Sequence, residues 1–137
     1  MTRTLISVLV LTTSAACAKN PAGPSVPTGR EFQVRAGESV AIQGTDLGLR
    51  FEGVAHDSRC PADVVCVQMG DAVAVFAVTK GGHKVESLSL HTEPGGQQGT
   101  VGDWALTLTR LEPYPYVSRP IAPSDYKATL RVDRAPS

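Results

Sequence analysis

Ala72-Val-Ala-Val-Phe-Ala-Val78 is an unbroken run of seven apolar residues, three of them valine, set between Asp71 and Thr79-Lys80. A run this short and this rich in β-branched side chains reads as a buried strand, because a helix needs ten or more residues and a stripe of period 3.6. Both faces of its pleat are apolar, so it is expected at the centre of a sheet and covered on both sides. Lys80-Gly81-Gly82-His83 follows as a hairpin turn, and Val85 to Leu90 returns. Glu86 shares a face with Leu88 and Leu90, which makes this return the least regular of the expected strands.

Working outward, the periodicity stays at two. Phe32 and Val34 alternate with polar neighbours, Ala36-Gly37-Glu38 turns the chain, Val40 and Ile42 alternate again, and Gly44-Thr-Asp46 makes the next turn. Leu47, Leu49 and Phe51 share a face opposite Arg50 and Glu52, and Gly53 breaks the alternation as a bulge would. Downstream, Glu93 to Gly99 is a loop, Trp104, Leu106 and Leu108 form one strand face, and Tyr126, Ala128, Leu130 and Val132 form the last. Pro113 to Pro123 carries too many prolines for a central strand and is expected as a stiff connection over one end. Six or seven short strands with turns every eight to twelve residues predict an all-β fold, a small antiparallel β-sandwich or a partly open barrel.

Composition sets the outer limits. The full chain has 137 residues with 13 basic and 13 acidic side chains. It has no basic block, which argues against nucleic acid as a partner. There is no internal repeat and no heptad pattern.

Met1 to Cys17 has the parts of a bacterial export signal: Arg3, the apolar Leu5 to Leu11, and the small residues Thr12 to Ala16. The apolar run is far shorter than the roughly 20 residues of a membrane-spanning helix. Ser14-Ala15-Ala16-Cys17 resembles a lipobox, which implies a diacylglyceryl thioether on Cys17, although Ser14 stands where an aliphatic residue is usual. The alternative cut, small-x-small at Ala16-Cys17-Ala18, would discard Cys17 and release a soluble periplasmic or secreted protein. Ala18, rather than Asp, after Cys17 favours the outer membrane in a two-membrane bacterium. The expected organisation is a lipoprotein-type signal over residues 1–17, a tether over 18–30 with Pro21, Pro24 and Pro27, and a single β domain over 31–134. The tether's root-mean-square reach is on the order of 20 Å.

Cys60 and Cys66 lie six positions apart in Asp57-Ser-Arg-Cys-Pro-Ala-Asp-Val-Val-Cys66. Outside the cytoplasm such a pair is expected to be a disulfide. Pro61 stiffens the loop further. Asp57 can accept backbone N–H groups as an Asx-turn, and Arg59 can donate to carbonyls or pair with a carboxylate, so both are candidates for pinning the loop or for binding.

This string, with Gly70-Asp71-Ala72, Leu111-Glu-Pro-Tyr-Pro115 and the closing Asp125-Tyr126-Lys-Ala-Thr-Leu-Arg-Val132, is similar to a pattern in uncharacterised small bacterial lipoproteins. The resemblance covers most of residues 37–132. Its members often carry Trp after the second cysteine, where this chain has Gln68. It implies export, the bridge and a β architecture, and names no activity.

Chemistry is sparse. His56, Asp57, His83, His91, Met69 and the cysteines are conceivable metal ligands, but no pair has a ligand spacing, and reduced cysteines would be required. His56, Asp57 and Ser58 are adjacent, whereas a triad converges from separate segments. C-x5-C is not the C-x-x-C of a thiol oxidoreductase. The chain is therefore read as a non-catalytic, lipid-anchored envelope domain without a cofactor, binding an envelope protein or cell-wall component or serving structurally. Tyr114 and Tyr116 join the stapled loop as candidate contact residues. Two alternatives are a secreted protease inhibitor presenting Ala62 to Val65, and a periplasmic copper-binding protein.

Overall fold

The computed structural model describes residues 23–137. Cys17, the expected export signal and the first part of the expected tether lie outside the described residues.

Nine strands occur among the described residues: β1 Ser25–Val26, β2 Glu31–Arg35, β3 Ser39–Ile42, β4 Leu47–Asp57, β5 Ala72–Lys80, β6 His83–His91, β7 Gln98–Val101, β8 Trp104–Glu112 and β9 Lys127–Arg134. They form two sheets, β1-β3-β4-β5-β6 and β2-β9-β8-β7. Every pairing is antiparallel except β1 with β3. The sheets face each other as a sandwich and are not closed into a barrel.

The core is the set of alternating residues seen in the sequence. Phe51, Phe76, Leu90, Leu108, Leu130 and Val34 are its largest fully buried side chains. Phe51 and Phe76 sit opposite each other on β4 and β5 with ring centroids 4.9 Å apart. Ala72, Ala74, Phe76 and Val78 line the buried face of β5, but Val73 and Val75 on its other face are half-exposed. The expectation of a strand covered on both faces therefore holds for one face and part of the other. β5 is bonded on both sides, to β4 and β6.

The Lys80–His83 turn is the expected hairpin, with Gly81 and Gly82 both at positive φ (56° and 83°), the backbone of the type I′ turn that matches strand twist. Register shifts in β4 fall between Phe51 and Gly53 and between Val54 and His56, so the expected bulge at Gly53 is present.

Two strands were not expected. Ser25–Val26, within the proline-bearing stretch assigned to the tether, adds to β3 and buries Val26 in the core. Pro24 and Pro27 are tolerated because β1 is an edge strand, with neighbours on one side only. Gln98–Val101 pairs with β8 as the other sheet's edge; its residues (QGTV) carry too little apolar alternation to announce a strand.

Candidate functional site

β4 runs on past β3, paired with β5 as far as Asp57 opposite Ala72, and the chain between β4 and β5 forms one end of the sandwich. The ladder first continues into the loop: Ser58 N donates to Asp71 O at 2.7 Å and Cys60 N to Met69 O at 2.7 Å. Cys60 and Cys66 then close the tip as a disulfide, with their Cα atoms 5.9 Å apart.

Beneath the staple, Asp57 and Arg59 act together. Residues two apart on an extended chain project to the same side, and here that brings guanidinium onto carboxylate. Arg59 Nε donates to Asp57 Oδ1 at 2.9 Å and Nη2 to Oδ2 at 2.7 Å. The same guanidinium reaches the other sheet, giving Nη1 to Leu111 O at 2.8 Å and Nη2 to Pro113 O at 3.0 Å. Tyr126 Oη completes the cluster by donating to Asp57 Oδ2 at 2.9 Å. Arg59 is 7% exposed. A buried charge is tolerated only when paired and hydrogen-bonded, and this one is committed to three carbonyl or carboxylate groups. The pair pins the loop and leaves no open fork for an anionic ligand.

The electrostatics follow from that packing. Burial works against the charge on Asp57, but the Arg59 hydrogen bonds, then the Tyr126 hydroxyl and the Arg59 charge, outweigh it and hold the carboxyl below its usual range. Burial and the adjacent Asp57 carboxylate push the Tyr126 phenol up to about 12.

The proline segment lies against the stapled loop. Ala62 N donates to Pro115 O at 2.9 Å and Val117 N to Asp63 Oδ1 at 3.0 Å. Tyr114 lies under the Arg59 guanidinium, 5.2 Å from ring centroid to Cζ, and Tyr116 packs similarly with Arg119 at 4.9 Å. Both tyrosines remain partly open to solvent. The structure thus brings together Asp57, Arg59, Cys60, Pro61, Cys66, Tyr114 and Tyr116 at one end. Among the described residues the exposed large apolar side chains are Val64, Val65, Val67, Met69, Val85, Tyr114, Tyr116 and Val117, and all but Val85 belong to this end. Val65 and Val67 are 102% and 104% exposed, as open as in an isolated peptide.

A second cluster, missed from the sequence, borders the same end. Asp71 Oδ2 lies 2.6 Å from His91 Nδ1, while Asp71 Oδ1 accepts Thr92 N, Thr92 Oγ1 and Glu93 N at 2.9, 3.0 and 2.9 Å. Burial opposes the Asp71 charge, but the His91 contact, the Glu93 N–H and the Thr92 hydroxyl prevail and lower its pKa. An open cleft lies between this cluster and Arg59, Met69 and Tyr114. The only sequence signal was position: Asp71 directly precedes one strand, and His91 ends its hairpin partner.

A carboxylate-oriented histidine is one part of a hydrolytic site. The hydroxyl at hand does not complete it: Ser58 Oγ donates to Asp71 O at 3.0 Å and accepts Asp71 N at 3.2 Å. Among the described residues no three His, Cys, Asp or Glu side chains are gathered as a metal would require. Ala62 and Val64 belong to a tight turn, with Val64 N bonded to Pro61 O at 3.3 Å, which differs from the extended segment that adds to a partner's sheet.

No family model matches the chain, and no similar chain is found among curated proteins or solved structures.

Proposed function

We propose that the protein is an exported, lipid-anchored, non-catalytic module of the cell envelope, and that the stapled end is its contact surface. One observation carries the reading: apolar side chains concentrated on a loop that a disulfide, a buried ion pair and the proline segment hold in place. Contiguous exposed apolar surface marks an interaction site, and a rigid loop loses little freedom on binding. The lipobox-like Ser14 to Cys17 supports the anchor.

Affinity capture from intact envelopes tests the contact surface. The wild type is expected to hold an envelope component, the bilayer included, more strongly than a Val65→Asp/Val67→Asp variant whose circular dichroism and melting midpoint stay unchanged. Equal recovery by both would count against it.

A further inference from the structure

The apolar tip and the chain's route into the fold point the same way. β1 runs parallel to β3, with Ser25 opposite Ala41 and Val26 opposite Ile42, so the chain joins the sheet near Ser39 and runs away from the stapled loop. Ser39 pairs with Arg50, and β4 continues from there to Asp57, a rise on the order of 20 Å at about 3.3 Å per residue. From Cys17 to Gly23 is six residues, which span at most about 20 Å when fully extended. A lipid on Cys17 would hold the domain within that distance of the bilayer.

The two ends of the sandwich differ in what they offer a bilayer. The far end carries the turns at Gly44-Thr-Asp46, Lys80-Gly-Gly82 and Gly102-Asp103, whose charged residues are Asp46, Lys80 and Asp103. The stapled end carries Val65, Val67 and Met69, the last 75% exposed, and beside them the Tyr114–Arg119 segment, which bonds to the loop through Pro115 O and Val117 N. Aliphatic side chains beside tyrosine and arginine match the make-up of a membrane interface, where aromatic rings and cations sit at the headgroups. Asp63, the acidic residue within the staple, has its carboxylate engaged by the Val117 N–H.

We propose that the stapled end docks on the bilayer that holds the Cys17 lipid, with Val65, Val67 and Met69 entering the headgroup–acyl boundary and the two tyrosines and Arg119 at the headgroups. The inference rests on the anchor reading above and names the occupant of that contact surface. Stable attachment to a membrane is strengthened when a second apolar element joins the acyl chains, and the tip supplies one. Docking also fixes orientation, holding the far end outward.

The test uses the full chain, expressed with its own export signal and reconstituted into phosphatidylethanolamine/phosphatidylglycerol vesicles with brominated acyl chains. Val67→Trp places a reporter at the tip, Val85→Trp places one on the exposed strand β6, and the native Trp104 reports from the far end. After subtraction of the wild-type Trp104 emission common to both variants, the expected result is flotation with the vesicles, the emission added by Val67→Trp blue-shifted and quenched at least twofold, and that added by Val85→Trp, like Trp104 itself, little changed. Flotation with Val67→Trp quenched no more than Val85→Trp overturns the docking and leaves the anchor standing. Failure to float overturns both. Unquenched Val67→Trp that shifts blue only when envelope proteins are added overturns the membrane as occupant in favour of a protein.

Discussion

Asp57 and Arg59, two residues apart, form a closed fork at the end of a strand, and Arg59 carries the contact across the sandwich to the carbonyls of Leu111 and Pro113. One side chain therefore joins the end of β4 in the first sheet to the end of β8 in the second. The disulfide shapes the loop locally; this ion pair ties it to the body of the protein.

Removing Arg59 is the most damaging single change to this end. Arg59→Met leaves Asp57 buried with only Tyr126 as a side-chain partner and strands two carbonyls, a loss of about 3 to 5 kcal/mol. Arg59→Lys cannot reproduce the planar fork and recovers little of it. Urea unfolding of both variants measures the loss.

The Cys60→Ser/Cys66→Ser variant keeps the sandwich. Closing so short a loop contributes about 2 kcal/mol, and the core does not include either cysteine. Hydrogen exchange should speed up within residues 61–70 while amides of β5 and β9 keep their protection.

Stability should fall at both extremes of pH. The Asp57 and Asp71 carboxyls have folded-state pKa values below their ordinary 3.8, so their contribution is present above that value and is lost as pH drops through the lowered ones. Tyr126 is shifted the other way, so its contribution is present below 10 and is lost as pH rises toward about 12. Tyr126→Phe should cost about 1 to 2 kcal/mol at neutral pH and remove the part of the decline between pH 10 and 12 that belongs to this phenol. Thermal melts across pH 2 to 12 read both limbs.

Gly70→Ala and Gly44→Ala separate backbone strain from collision. Both glycines have positive φ, but a Cβ at Gly44 meets nothing within 4 Å, whereas one at Gly70 would sit 1.8 Å from Ser58 O. Gly44→Ala should cost about 1 kcal/mol. Gly70→Ala should cost at least about twice that and expose the Cys60–Met69 hydrogen bond to exchange.

Much of the sandwich was legible because its signals are local. Ala72–Val78, the Gly81-Gly82 turn, the bulge at Gly53 and the alternation in Tyr126–Val132 each need only neighbouring residues to be read. The missing strands fail that condition. Ser25–Val26 is too short to show a period, and Gln98–Val101 exists through pairing with β8. The site divides the same way. Asp57 and Arg59 stood out in the sequence as loop-pinning residues flanking Cys60, but the Leu111 and Pro113 carbonyls, the Tyr126 hydroxyl and the Asp71–His91 contact come from segments twenty to seventy residues away.

The account turns on the attachment of this domain to a membrane through Cys17. Mass spectrometry of the N-terminal peptide from protein recovered from its native envelope addresses that directly. The account predicts a chain beginning at Cys17 with the mass of a diacylglyceryl group on its sulfur; an N-terminus at Lys19, or an unmodified Cys17 thiol, would contradict it.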